Sequence, residues 1–153
     1  MTLVRELLSW ILSLFLIAVF ISWAVHPQSA PVDGQTLLFD LPGENVFFTL
    51  LARNAGIALF EPTGRLIAGG ILCLVSLLLL IPHFRRVMSL FVLIITLALA
   101  GLQVSPLVPM ELPLTVGASE SDGGARFYLL LACAVSAFLL FLVHKRGKPV
   151  EFY

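Results

Sequence analysis

Residues 66–104 read LIAGGILCLVSLLLLIPHFRRVMSLFVLIITLALAGLQV. Two uncharged apolar runs, 66–81 and 87–104, flank the short polar turn Pro82-His83-Phe84-Arg85-Arg86. A helix needs about 20 apolar residues to cross a hydrocarbon layer of about 30 Å. The second run has that length, and the first reaches it when extended to His83, with Arg65 snorkelling at its other end. The stretch is therefore a membrane hairpin. Two similar runs lie outside it: 7–25, interrupted by Ser9, Ser13 and Ser22, and 127–143, which leads into His144-Lys145-Arg146. The expected fold is an all-α membrane protein, a four-transmembrane-helix bundle with spans at about 7–25, 66–83, 87–104 and 127–143, in a single membrane domain over 1–153. None of the four runs carries an acidic or basic residue.

Composition agrees. The chain is 59% hydrophobic and 12% charged, with mean hydropathy +1.05, whereas soluble domains carry about 25% charged residues. A formal net charge of zero and the lack of a basic stripe exclude nucleic acid as a partner. The run 7–25 is longer than the roughly 7–15-residue core of a signal peptide, and no small-x-small cleavage pattern follows it. His26-Pro27 after it reads as a helix stop, because proline disfavours helix at the residue before it.

The outer loops are 26–65 and 105–126. Within the first, 45–60 is apolar enough for a helix but carries Arg53 and Asn54 at its middle. A central arginine in a span costs about 2.5–3.5 kcal/mol on insertion scales, so this piece is expected to be an additional interfacial helix. The second loop is extended by Pro106, Pro109 and Pro113, with a strand pair expected around 112–116. Of the nine basic residues, Arg5, Arg85, Arg86, Lys145, Arg146 and Lys148 fall on the side of the termini. Arg53, Arg65 and Arg126 fall on the other side, with most of the acids. The positive-inside rule then places both termini in the cytoplasm.

Helices in lipid pack through small residues and polar contacts. Gly69, Cys73 and Ser76 share one face of the second span. Ser89, Thr96 and Gln103 repeat along the third, and Cys133, Ser136 and Ala137 along the fourth. These faces are expected to pack the bundle or to line a cavity within it. The inventory for catalysis is empty: no carboxylate pair, no nucleophile motif and no clustered ligand set. His26, His83 and His144 all stand at helix ends, and Cys73 and Cys133 have no CxxC spacing. No catalytic residue, metal site or intrinsic cofactor is expected, although the bundle faces leave room for a bound lipid or quinone. A charge cluster stands on the outer face: Glu61 and Arg65 before the second span, Asp122 and Arg126 before the fourth. Asp122 is placed to cap the last helix, and Glu61–Arg126 or Asp122–Arg65 cross-pairs are open.

Phe60-Glu61-Pro62-Thr63-Gly64-Arg65 through Gly69-Gly70-Ile71-Leu72, then 77–82, resembles the second helix of DoxX-like membrane proteins. Residues 99–107 resemble the end of that family's third helix, and Asp122-Gly123-Gly124 followed by Phe127 the start of its fourth. The resemblance covers 60–146 in order. It implies a four-helix protein of the bacterial inner membrane, in a family linked to quinol oxidase, thiosulfate oxidation and membrane oxidoreductase assemblies. Members often carry Glu where this chain has Cys73 and His where it has Gln103. Neither replacement serves as a base near neutral pH, which removes any proton-handling role of that pair.

The functional expectation is a non-catalytic accessory subunit of a larger inner-membrane complex, electron-transfer related, whether respiratory or photosynthetic. The alternative is a small DoxX-like oxidoreductase component handling a quinone, a lipid or a sulfur compound. The partners expected are membrane lipids and other integral-membrane subunits. Trp10, Trp23, Phe47, Phe48 and Leu51 are the candidate partner contacts, on a first span that shows no small-residue face and on the interfacial helix.

Overall fold

A computed structural model of the chain describes residues 2–24 and 45–144. Its elements are α1 (Thr2–Ala24), α2 (Val46–Ala55), a 3-10 turn (Ala58–Phe60), α3 (Thr63–Leu80), α4 (Arg85–Gln103) and α5 (Ala125–Val143). Four helices, α1, α3, α4 and α5, are long and apolar enough to cross a membrane. The chain is a multi-pass membrane protein, and among the described residues it is helical without strands, with one shorter helix, α2. Val25, His26, Asp33, Asp40, Glu44, Lys145, Arg146, Lys148 and Glu151, which entered the span and charge reading, lie outside the described residues.

The four long helices form a ring. Helix α4 packs most closely on α5, α1 lies against α3 and α5, and α3 closes the ring on α4. Each buries a narrow stripe: Leu16, Val19 and Phe20 from α1, Val75 and Leu79 from α3, Val92 from α4, and Cys133, Ala137 and Leu140 from α5. The remaining faces turn apolar side chains outward, with Leu74, Leu77, Ile94, Leu97, Val135 and Leu142 all more than half exposed. Such an exposed apolar belt fits lipid and not water.

Each long helix starts ahead of the apolar run that announced it. At 23 residues, α1 is about 35 Å long. At the other end the largest difference is in α3, which stops at Leu80 and not at His83. Ile81 is extended (φ −88, ψ 113), as a residue before proline is driven to be, and the turn from Ile81 to Phe84 leads directly into α4.

Among the described residues Ser9 is the exception among the small polar side chains of the bundle in bonding to other helices; the others that bond do so within their own helix and not, as the sequence leads one to expect, across to a neighbour. Ser13 Oγ donates to Ser9 O (2.7 Å), Ser76 Oγ to Leu72 O (2.8 Å) and Thr96 Oγ1 to Val92 O (2.8 Å), each one turn back in its own helix. Back-bonding of this kind satisfies the hydroxyl locally, so these residues contribute close approach and not cross-links. Helix α1 also has a small-residue face, contrary to expectation: Ser9 and Ser13 are buried at i and i+4, continuing into Leu16 and Phe20.

Helix α2 sits at the loop end of the ring. Asn45 caps it, its side chain accepting from Phe48 N (3.2 Å), and Gly56 ends it with φ +68, a left-handed conformation that favours glycine. Val46 and Leu51 are buried against Val108 and Leu112 of the second loop, and Asn54 Nδ2 donates to Leu107 O (2.7 Å). The two loops thus form a second small core. The strand pair expected near 112–116 reduces to isolated bridges, Pro113 with Ser121 and Ser105 with Val108.

Candidate functional site: a cavity at the loop end

At the loop end the stripes diverge around a cavity of about 440 Å³. Its walls come from the last turn of α1, the first turn of α2, α3, α4, the second loop and the start of α5. On α3, Arg65, Ala68, Gly69 and Leu72 line it at i, i+3, i+4 and i+7, one helical face. On α4, Ile95, Leu99 and Gln103 do so at successive turns. The polar lining residues Ser22, Asn45, Arg65, Gln103 and Arg126 all stand at the helix ends nearest the loops. Leu99, Ile71, Leu72 and Ile95 lie about 6–12 Å deeper along the helix axes, at 1.5 Å per residue. The cavity is polar at one end and apolar below.

Gln103 is 2% exposed, and its Oε1 has no hydrogen-bond partner. A buried carbonyl left unbonded costs about 1–3 kcal/mol, so this atom calls for a donor. Arg65 is buried and forms an ion pair with Glu61, Nε to Oε1 at 3.0 Å across one helical turn. Arg126 is half-buried and has no ion-pair or hydrogen-bond partner for its side chain among the described residues. The cross-pairs considered from the sequence are not formed; Glu61 turns to Arg65 instead. Asp122 is engaged by backbone. Its Oδ1 accepts from Leu112 N and Gly124 N, both at 2.9 Å, and its Oδ2 from Arg126 N at 3.2 Å. One carboxylate therefore caps α5 and ties the second loop to it. Gly124, at φ +79, makes the turn into α5 that this geometry needs.

The residues singled out from the sequence divide. Gly69 and Gln103 line the cavity. Ser76, Thr96 and Cys133 are buried in the bundle, whereas Cys73 and Ser136 are half-buried away from the cavity. Both cysteines are free, on helices that face each other across the ring. Trp23, Phe47 and Phe48, read as partner contacts, line the cavity, and Leu51 is covered by the chain's own second loop. Ala68, Leu72, Ile95 and Leu99 were not singled out, because in sequence they look like any other apolar residue of a span.

A second polar cluster ties the opposite end. Arg85 is 2% exposed; its Nε donates to Leu79 O (2.9 Å) and its Nη2 to Leu80 O (3.4 Å), with Nη1 3.5 Å from Ser9 Oγ. Ser9 Oγ also lies 3.0 Å from His144 Nδ1, and Arg5 donates to Val143 O at 2.9 Å. The Trp10 ring, another candidate partner contact, is stacked by Arg85. Among the described residues no three His, Cys, Asp or Glu side chains group as metal ligands. No family model matches the chain, and no curated protein or solved structure matches it either.

Proposed function

We propose that the chain is a non-enzymatic membrane protein that holds an amphipathic, membrane-dissolved molecule, of the quinone or lipid class, in the cavity at the loop end. The observation that carries this reading is the buried, unbonded Oε1 of Gln103 at the polar end of a cavity whose deeper wall is apolar. Pockets of about 300–1,000 Å³ with few placed polar groups are the usual form of small-molecule sites. Among the described lining residues the ionisable side chains are Arg65 and Arg126, and a guanidinium stays protonated. The lining offers recognition but no acid–base pair. The test is extraction of the protein purified in mild detergent, with mass spectrometry of what is released. A bound amphiphile lost in Ala68→Trp, with the fold retained, supports the reading; protein that carries none refutes it.

The accessory-subunit reading stands second. It is favoured by Ile57 and Leu59 at the loop end, 47% and 68% exposed beyond the apolar runs, where an electron-transfer complex could cover them. Co-purification of larger subunits that Leu59→Ser releases would favour it. We also place the chain among DoxX-like proteins of the bacterial inner membrane, with cytoplasmic termini. What supports this is the residue pattern over 60–146 and the excess of basic residues on the side of the termini.

A further inference from the structure

Building on the ligand-holding reading, we propose that the occupant is an anionic lipid whose head carries a hydroxyl beside its phosphate, the chemistry of phosphatidylglycerol. The unmet bonding capacity of the wall sets these requirements. Gln103 Oε1 needs a donor. The Arg126 guanidinium needs an acceptor, and Arg65 has only its Nε engaged among the described residues, which leaves its terminal nitrogens to a ligand. Guanidinium groups prefer a phosphate or carboxylate, whose paired oxygens match their fork. The nearby carboxylates do not already meet this need: Glu61 is paired with Arg65 through Nε, and Asp122 is taken up by three backbone N–H groups.

Other head groups meet only part of this. An oxidised quinone brings acceptors and leaves Gln103 Oε1 without a donor. A hydroquinone bonds Gln103 but brings no charge to the arginines. An ethanolamine head brings phosphate and donor together, yet sets its ammonium among two guanidinium groups. A glycerol head on a phosphodiester supplies an anion and neutral donors a few bonds apart. Below it, Leu72, Ile95 and Leu99 receive chain, and Ile71, which also lines the cavity, is 38% exposed. On this proposal the remaining acyl chain runs past Ile71 into the bilayer.

The test uses the whole chain in a non-ionic detergent, with binding followed by native mass spectrometry and by thermal stabilisation. The probes are phosphatidylglycerol, phosphatidylethanolamine, decyl-hydroquinone and free glycerol phosphate. Phosphatidylglycerol is expected to bind about ten-fold more tightly than phosphatidylethanolamine, because both bring a phosphate but only the ethanolamine sets an ammonium against the guanidinium groups. Arg126→Gln should abolish that preference, and Gln103→Leu should weaken phosphatidylglycerol about five-fold or more. Arg86→Gln, a cation at the opposite end, should leave both unchanged. Equal binding of the two phospholipids, or an Arg126→Gln variant that keeps the preference, overturns the proposal. Glycerol phosphate binding as tightly as the lipid would also overturn it, since the apolar wall would then count for nothing. Hydroquinone bound alone, and lost in Ala68→Trp, overturns the lipid assignment while leaving the ligand-holding function standing. Failure of every amphiphile to respond to Ala68→Trp ends both.

Discussion

The guanidinium carbon of Arg85 lies 3.5 Å from the centroid of the Trp10 ring, and the arginine is 2% exposed. A cation over an indole face is worth about 2 kcal/mol or more when desolvated, and this one joins the start of α1 to the α3–α4 turn. Arg85→Lys keeps the charge but loses the fork that reaches the Leu79 and Leu80 carbonyls. Arg85→Leu and Trp10→Ala are expected to lower the unfolding temperature in detergent. Their double variant should fall short of additivity by about 1–2 kcal/mol. Strict additivity would mean that the stacking contributes nothing.

A second prediction concerns pH. Burial, aided by the charges of Arg85 and Arg86 and opposed by a backbone hydrogen bond at Pro82, holds the His144 imidazole below its ordinary 6.5. The unfolded chain then binds the proton more readily than the folded one. The stabilisation is present above pH 6.5 and is lost as pH falls through the folded value. Thermal unfolding followed across pH 8 to 5 should show wild-type protein losing stability at the acid end, and His144→Gln showing a flatter profile. Parallel profiles would contradict the assignment to this side chain.

Asp122 is expected to be the most sensitive acidic position of the loops. Its carboxylate serves three backbone N–H groups, so Asp122→Ala should cost about 1–3 kcal/mol in a detergent unfolding assay. Asp122→Asn, which keeps one acceptor oxygen for Leu112 and Gly124, should cost less. Equal losses would show that charge, and not hydrogen bonding, holds the second loop.

The self-bonded hydroxyls make a contrasting prediction. Thr96→Val removes a group satisfied within α4, and should change stability by about 1 kcal/mol or less. Ala137→Leu forces a larger side chain into a site of zero exposure between packed helices, and should cost about 1–3 kcal/mol. Reversal of that order would show that the hydroxyls link helices after all.

Orientation has its own test. With the termini in the cytoplasm, a reporter inserted near Ser119 should be active only as an exported marker, and one after Lys148 only as a cytoplasmic marker. A cytoplasmic signal from Ser119 would reverse the assignment.

What could be read from the sequence follows from what each feature depends on. The spans depend on long uncharged runs, which are local, and α4 and α5 begin within two residues of where 87–104 and 127–143 placed them. Arg85 was read as a loop charge, because nothing local says that the Pro82 turn is tight enough to swing it back under Trp10. The buried Ser9 and Ser13 were hidden in a helix whose bulky residues occur on every face. The cavity was harder still. Trp23, Phe47 and Ile95 are apolar whether they face lipid or one another, and the missing bond of Gln103 is a property of its surroundings.

The hydrogen bonds of Arg85 bear on how such a protein enters its membrane. Two of its contacts are to Leu79 and Leu80, carbonyls of the same α3–α4 hairpin, and the hydroxyls of Ser76 and Thr96 are likewise satisfied by their own helices. The turn of the hairpin and the hydroxyls of Ser76 and Thr96 can therefore leave the translocation channel already matched, needing neither α1 nor α5 as chaperone. Ser9, Trp10 and His144 then find it by lateral diffusion. Insertion and assembly become separable events in the life of the chain, and the second can wait on the first.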